Sequence, residues 1–170
     1  MLDKSPKSYY SIVRFRTKGG AIWTHIRKQL EQYTATLCRT NGLYGRWAKQ
    51  NGLNYNEFLV LDELDYQESC TQAQICEAWL LPKQTVHSVL VGLRQEGLVQ
   101  QEPDPADGRG KLLRLTPAGK DYARRLLSPL DRIEERVMER MGPLLAQQLL
   151  ETTQLYCTLL EEELDHESLG

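Results

Sequence analysis

The sequence predicts a mostly α (α+β) fold class, in which one short β-hairpin interrupts a series of helices. Apolar residues recur at intervals of three, four and seven over most of the chain, which is the spacing of amphipathic helices. At two places a small polar residue precedes Glu or Gln by three positions, a pattern that starts helices. The stretch QEPDPADGRGKLLRL, residues 101–115, has turn residues followed by weak alternation of polar and apolar residues, which predicts a hairpin.

Composition bounds the class of protein. The chain has 170 residues, of which 41% are hydrophobic and 26% are charged, values typical of a globular protein. It has neither an apolar run of the about 20 residues that cross a bilayer nor the apolar core of a signal peptide, so we expect a cytoplasmic protein. The formal net charge of −2 gives no overall attraction to phosphate groups, although a local basic patch can still bind DNA.

A long amphipathic helix is predicted over residues 21–48. Gly42 and Gly45 weaken its C-terminal part and leave a break or a bend open there. The pair Asn51-Gly52 then predicts a turn. The apolar positions of this helix are Ile22, Ile26, Leu30, Tyr33, Leu37, Tyr44 and Trp47.

Two short helices follow, and each begins with a capping signal. Asn54 and Glu57 have the spacing of a capping box, and Thr71 and Gln74 repeat it. The first of these helices then carries one apolar face, made of Phe58, Leu61 and Leu64.

A third short helix runs between Pro82, which suits a first helical position, and Gly97, which suits a C-terminal stop. At roughly 100° per residue, its apolar and polar side chains separate to opposite sides. The apolar side comprises Val86, Val89, Leu90 and Leu93. The outer side and its flanks comprise Lys83, Gln84, Thr85, His87, Ser88, Val91 and Gln95.

The C-terminal part of the chain predicts two long helices. Thr116 caps the first of them, and Pro117 takes its first position. Pro129 should kink or split that helix, and Gly142-Pro143 is a second break. The last helix carries Leu145, Leu149, Tyr156, Leu159, Leu160 and Leu164 along one side.

Short helices, a turn and a hairpin in this order form a winged helix-turn-helix with a two-stranded wing. Long helices flank it at both ends, and their apolar stripes exceed what a small core covers, so we expect them to bury one another across a dimer. This predicts an N-terminal arm and dimerisation helix over residues 1–50, a DNA-binding domain over 51–116, and C-terminal dimerisation helices over 117–170.

The outer side of the third short helix carries groups that can read base edges. Gln84 can pair with adenine, and Val91 could meet a thymine methyl group. The hydroxyls of Thr85 and Ser88 both donate and accept hydrogen bonds. The alternative is a solvated helix face, which most surface helices have. The capped helix before it and the hairpin after it favour DNA recognition, because the three elements act together.

The predicted wing comprises two short strands, residues 98–102 and 111–115, around the loop 103–110. A glycine on each side of Arg109 presents this cation with little bulk beside it, which suits a narrow minor groove. The alternative is an ordinary solvated hairpin loop, because loops rich in Gly, Pro and Asp are common.

Four other charged residues of the hairpin have expected roles. Lys111 and Arg114 are expected to reach phosphates. Asp107 would repel phosphate, so we expect it to brace the wing through a salt bridge or a turn cap. Asp104 is expected to cap its own turn.

The loop and the helix start after it resemble the MarR family of bacterial transcriptional regulators. The family loop has the form D-P-x-D-x-R, and a helix start of the form L-T-x-x-G follows within a few residues. This chain has DPADGR at residues 104–109 and LTPAG at residues 115–119. The resemblance is strong over residues 53–127 and architectural in the flanking helices.

The resemblance implies a homodimer, held by its N- and C-terminal helices, that binds a pseudo-palindromic double-stranded operator. It implies that Arg109 enters a minor groove, that Asp107 braces the wing, and that the helix from Pro82 reads the major groove. Family members often repress genes and leave DNA when they bind a small aromatic ligand or when a cysteine is oxidised.

A regulator of this kind needs an input, and the sequence offers candidate residues for a ligand pocket. Large aromatic side chains could line a pocket for a small aromatic effector. The alternative is that they are ordinary core aromatics, since aromatic residues dominate cores. The candidates are Trp23, Tyr33, Trp47 and Trp79.

The cysteines offer a second kind of input. Cys70 directly precedes a helix start, where positive potential lowers a thiol pKa, so it is the best candidate for a reactive thiolate. Cys38 could act together with Cys157. The cysteines and histidines have no metal-ligand spacing, so we expect neither a metal nor another cofactor.

Two other function classes compete with a DNA-binding regulator. The net acidity favours a winged-helix module that contacts proteins and has lost DNA binding, whereas the glycine-flanked Arg109 disfavours it. An enzyme is disfavoured because the sequence has no nucleophile elbow, P-loop, H-E-x-x-H or dinucleotide fingerprint.

Overall fold

The structure is a computed structural model that describes residues 21–103 and 110–168, without the side chains of residues 21–24 and 168. Its elements follow the predicted order and confirm the mostly helical class with one antiparallel hairpin. None of the described helices is long and apolar enough to cross a membrane. The elements are α1 (Ala21–Gln50), α2 (Tyr55–Tyr66), α3 (Gln72–Trp79), α4 (Lys83–Gln95), β1 (Val99–Pro103), β2 (Lys111–Leu115) and α5 (Pro117–Ser168).

The chain divides into two compact units within α2, one ending at Val60 and the other beginning at Leu61. In the first unit, aromatic rings join α1 to the start of α2. Phe58 lies at the centre of this cluster, with ring centroids 6.3 Å from Tyr44, 5.6 Å from Trp47 and 6.1 Å from Tyr55. The predicted division into three domains remains a prediction.

Helix α1 is continuous through Gly42 and Gly45, so neither glycine breaks it. It ends where Gly52 takes a positive φ of 81°, a conformation that glycine adopts without steric cost. The Leu53 N–H then donates to the Ala48 carbonyl at 3.0 Å, which closes the helix end and confirms the predicted turn.

The core of the second unit combines residues from helices and strands. Leu61 and Leu64 come from α2, and the hairpin adds Val99, Leu113 and Leu115. The other buried apolar residues of this unit are Cys70, Ile75, Val86, Leu90, Leu93, Ala123, Leu127 and Leu130.

The hairpin is anchored by a third segment. Strands β1 and β2 pair antiparallel, with Val99 opposite Leu115 at the base and Pro103 opposite Lys111 near the loop. Cys70 adds a single β-bridge on the other edge of β2, where its carbonyl accepts from the Leu113 N–H at 2.8 Å. The segment between α2 and α3 therefore holds the wing to the helices.

The start of α5 is bonded to the base of the wing. The Thr116 hydroxyl accepts from the Gly119 N–H at 3.0 Å, which confirms the predicted cap, and donates to the Gly97 carbonyl at 2.7 Å. The Thr116 N–H donates to the Leu98 carbonyl at 3.0 Å. Gly119 lies so close to Leu98 that a β-carbon at residue 119 would overlap the Leu98 carbonyl oxygen.

Helix α5 differs from prediction at one of its two expected breaks. The backbone remains helical through Pro129, so of the predicted kink or split at that residue the split does not occur. Gly142, with φ of 77° and ψ of 161°, interrupts the helix before Pro143 as predicted. A proline within a helix leaves one carbonyl without its usual N–H partner, whereas the Gly142 conformation ends the helical path.

Gly119→Ala should destabilise the fold by about 1–3 kcal/mol, the usual cost of overpacking. The added methyl would meet backbone atoms of Leu98, which cannot rotate away as a side chain could. Gly92→Ala in α4 is the control, because nothing lies within 4 Å of its added methyl, and the change should be neutral or stabilising by up to about 1 kcal/mol. Urea unfolding measures both, and equal effects of the two changes would contradict the close approach.

Candidate nucleic-acid interface

The junction between α3 and α4 is held by short-range hydrogen bonds. The Thr71 hydroxyl accepts from the Gln74 N–H at 3.2 Å, and the Gln74 side chain accepts from the Thr71 N–H at 2.7 Å, so the predicted capping box is present. Leu80 ends α3 in the left-handed conformation, with φ of 48° and ψ of 38°. The Gln72 side chain donates to the Lys83 carbonyl at 2.9 Å, which ties the start of α3 to the start of α4.

Helix α4 is bounded by backbone conformation alone. Pro82 is the N-cap residue and makes no side-chain cap, so the helix begins at Lys83, one residue later than predicted. Gly97 has a φ of 72°, and the Leu98 N–H donates to the Leu93 carbonyl at 2.9 Å, which confirms the predicted stop.

The two sides of α4 differ in exposure as the helical spacing predicts. Val86, Leu90 and Leu93 are buried, and Val89 is half-buried. On the outer side the Ser88 hydroxyl donates to the Gln84 carbonyl at 2.9 Å. The structure brings the predicted recognition residues together there, exposing Lys83, Gln84, His87 and Ser88 and half-burying Thr85 and Val91.

The hairpin places one of its predicted cations in an ion pair. Arg114 on β2 has its Nε 3.5 Å from the Glu102 Oε2 on β1, while Lys111 is exposed. The Gln100 side chain donates to the other Glu102 oxygen at 2.8 Å. The loop residues Asp104, Asp107 and Arg109 lie outside the described part of the chain.

An open groove lies between α4 and β1. It has a volume of about 550 Å³ and carries one cation, Arg94. None of the predicted pocket aromatics whose side chains the structure describes, Tyr33, Trp47 and Trp79, lines it, so it differs from that predicted pocket. Its lining residues are Val91, Arg94, Gln95, Val99, Gln100 and Gln101.

The four aromatic candidates lie in different surroundings. Trp47 packs edge-on against Phe58, as a core aromatic does. Tyr33 is half-buried on α1, and the side chain of Trp23 is outside the described part. Trp79 differs from them, because its buried indole N–H finds no hydrogen-bond acceptor in the structure. A buried donor without a partner costs about 1–3 kcal/mol.

The structure opposes the expectation that Cys70 is a reactive thiolate. Its side chain is 1% exposed, and burial, with a smaller contribution from Glu63, raises the pKa of the thiol to about 11. The backbone of this residue serves the β-bridge to Leu113, which places the side chain in the core. Cys38 is half-buried, and Cys157 is exposed.

One titratable group was missed by the sequence reasoning. The pKa of Asp62 is raised to about 6, first by burial and then by the negative charges of Glu134, Asp131, Glu63 and Asp65, in that order. Glu63 and Asp65 are neighbours along the chain, but the two acidic residues of α5 approach Asp62 only in the fold. Among the described residues no group of His, Cys, Asp or Glu is placed to hold a metal ion.

Comparisons with known proteins find relatives of the same architecture. A family model described as MarR family matches residues 51–110. No curated protein matches the chain. Among solved structures, a MarR family regulator from Neisseria meningitidis is 32% identical with a TM-score of 0.74, and the match covers 82% of this chain and 98% of that one.

Two similar structures contain DNA. One is a MarR variant from E. coli in complex with operator DNA, 15% identical, covering 81% of this chain and 99% of that one, with a TM-score of 0.59. The other is the S. aureus MepR–DNA complex, 20% identical, covering 74% and 96%, with a TM-score of 0.62. At these identities the likeness shows the fold.

Cys70 should resist alkylation in the folded protein. Because its pKa rises from 9.0 to about 11, the thiolate fraction at pH 8 falls ~100-fold relative to the unfolded chain. Mass spectrometry after iodoacetamide treatment at pH 8 should find Cys157 modified and Cys70 protected, whereas both react in urea.

The same shift predicts a pH dependence of stability. The unfolded thiol ionises near pH 9 and the folded thiol only near pH 11, so this group should destabilise the fold as pH rises from 9 to 11. In the iodoacetamide experiment, alkylation of Cys70 in the folded protein as fast as that of Cys157 would contradict the burial of Cys70.

Proposed function

This chain belongs to the MarR family of winged-helix transcription regulators, and we propose that it binds double-stranded DNA sequence-specifically to regulate transcription. The observation that carries the proposal is the exposed polar side of α4, opposite a side buried in the core. The left-handed Leu80 and the hydrogen bond from the Gln72 side chain to the Lys83 carbonyl join α3 to α4. The Leu98 N–H, which donates to the Leu93 carbonyl, joins the end of α4 to the hairpin. In a winged helix-turn-helix a helix so placed enters the major groove.

Base recognition is assigned to the N-terminal half of α4. Gln84 is exposed and can make a bidentate pair with adenine. Ser88 already donates its hydroxyl hydrogen to the Gln84 carbonyl, so its oxygen is left to accept from an amino group of adenine or cytosine. Val91, half-buried on the same side, can meet a thymine methyl group. Thr85 and His87 flank these contacts.

Phosphate and minor-groove contacts are assigned to the wing and to the start of α4. Lys83 and Lys111 are exposed cations able to reach phosphates. Arg109 is assigned to the minor groove, with Asp104 and Asp107 bracing its loop, on the strength of the family resemblance. Phosphate contacts position the protein, and base contacts give the sequence preference.

We further propose a homodimer on a pseudo-palindromic operator. Exposed apolar side chains are concentrated on α1 and α5, and large apolar patches of this kind mark interfaces. Two reading helices related by a two-fold axis would contact half-sites about 10 bp apart. The exposed residues include Ile26, Leu37, Leu43, Leu144, Leu145, Leu149, Leu155, Leu159, Leu160 and Leu164.

The proposed regulator is a cytoplasmic repressor that a small aromatic ligand or an oxidant releases from DNA. Of the aromatic candidates, Trp79 best supports a ligand, because its buried N–H lacks an acceptor. Of the cysteines, Cys38 and Cys157 remain candidates for oxidation, since burial protects Cys70. No metal or cofactor enters this proposal. The alternative function is a protein-contact module without DNA binding, which the net charge of −2 favours.

Selection of DNA from a random duplex pool tests the proposal. The wild-type protein should enrich a pseudo-palindrome, and Arg109→Ala should bind the selected site at least tenfold more weakly while remaining folded by circular dichroism. The reason is the loss of a minor-groove cation, which also reduces the salt dependence of binding.

Arg125→Ala on α5 is the control for this selection, because it removes one exposed cation outside the winged module. It should bind the selected site nearly as tightly as wild type. No enrichment by the wild type, even at low salt, would favour the protein-contact module.

Removing the residues after Met141 should convert the proposed dimer to a monomer, because it deletes most of the exposed apolar residues of α5. Leu160→Glu tests the same surface in the full chain, and Leu80→Glu, on an exposed leucine outside the flanking helices, should leave the dimer intact. Sedimentation measures all three, and a dimeric truncated chain would contradict the assignment.

A further inference from the structure

We propose that Glu102 is an internal competitor of DNA phosphate for Arg114 and thereby limits the affinity of the wing for DNA. This inference rests on the proposed function, since it concerns how tightly the same interface binds. It assigns a role to a residue of β1 that neither base recognition nor the bracing of the wing loop explains.

The register of the hairpin creates the competition. In the antiparallel pair Gln100 lies opposite Arg114, and Glu102 lies opposite Leu112, so all four side chains point to the same side of the sheet. Arg114 reaches diagonally to Glu102, with its Nε 3.5 Å from Oε2. Gln100 donates to Oε1 at 2.8 Å and so holds the carboxylate in place.

The ion pair is exposed, which makes it exchangeable. The side chain of Arg114 is 42% exposed and that of Glu102 is 48% exposed. Pairs in this setting contribute little to stability, so the hairpin does not depend on it. The fold of the hairpin rests instead on the buried side of the sheet, where Val99, Leu113 and Leu115 lie.

The charge of the wing changes with the state of this pair. The described strands carry two cations, Lys111 and Arg114, and one carboxylate, Glu102. While Glu102 holds Arg114, the guanidinium contributes no net positive charge, and the carboxylate itself repels the DNA backbone. A phosphate that binds Arg114 must therefore displace Glu102, and this lowers the net gain from the contact.

Glu102→Gln tests the proposal, because it removes the charge and keeps the size of the side chain and an amide oxygen for Gln100. We expect the variant to bind DNA about fivefold more tightly at 0.1 M salt, on specific and nonspecific duplexes alike, since the contact is to phosphate. The plot of log affinity against log salt should become steeper by about 0.9, the value for one added phosphate contact.

Two controls separate this mechanism from a change of net charge. Glu163→Gln, near the C-terminal end of α5, removes the same charge from an exposed position far along the chain from the wing and should leave the affinity within twofold. The second control is the double variant Glu102→Gln/Arg114→Gln, compared with Arg114→Gln alone. In this background the gain in DNA affinity from Glu102→Gln should shrink to the small part that comes from lost repulsion between the carboxylate and DNA, and the steeper salt dependence should disappear.

The outcomes distinguish this inference from the proposed function. Three outcomes overturn the inference and leave the DNA-binding proposal standing, provided that the wild type binds DNA. They are no gain in DNA affinity from Glu102→Gln, an equal gain from Glu163→Gln, or a full gain from Glu102→Gln in the protein that also carries Arg114→Gln. A weaker Glu102→Gln variant would show that the pair orders the wing, which also overturns it. If no form of the protein binds DNA even at low salt, both proposals fail.

Discussion

The winged module depends on one close backbone approach, between the Leu98 carbonyl and the first turn of α5. The oxygen accepts from the Thr116 N–H at 3.0 Å. Because Gly119 has no side chain, it leaves room for the Leu98 carbonyl, which a β-carbon at residue 119 would overlap. The Thr116 hydroxyl also bonds the Gly97 carbonyl, so the end of α4, the start of β1 and the start of α5 meet at one point. Hydrogen bonds therefore tie the base of the wing to both the end of α4 and the start of α5.

This junction explains how far sequence reasoning could reach. The L-T-x-x-G pattern marks a family resemblance, and the structure gives each of its residues a physical role. Leu115 is buried in the hairpin, Thr116 caps the helix, and Gly119 admits the Leu98 backbone. Caps and stops were predictable because each depends on residues within a few positions of one another, whereas β1 begins and ends one residue later than predicted. The polar side of α4 was predictable for the same reason.

What the sequence could not give depends on residues far apart in the chain. Cys70 looked reactive beside a helix start, yet its β-bridge to Leu113 buries it and reverses the direction of its pKa shift. Asp62 carries no local signal of an unusual pKa, yet burial and the negative charges of Glu134 and Asp131, which approach it only in the fold, raise its pKa to about 6. Pro129 predicted a kink or a split, and the backbone stays helical there although the proline removes one helical hydrogen bond. The Glu102–Arg114 pair likewise depends on strand register.

The distribution of charge reconciles an acidic chain with a proposed DNA-binding role. A net charge of −2 weakens sequence-independent binding, because that binding comes from phosphate contacts. The proposed competition of Glu102 with phosphate for Arg114 would weaken it further. The base contacts proposed for Gln84 and Ser88 do not depend on that pair. A weaker attraction to phosphate would therefore lower nonspecific affinity more than it lowers the ratio of specific to nonspecific binding. On this argument Glu102 reduces affinity without reducing discrimination, and a genome full of competing sites makes discrimination the quantity that matters.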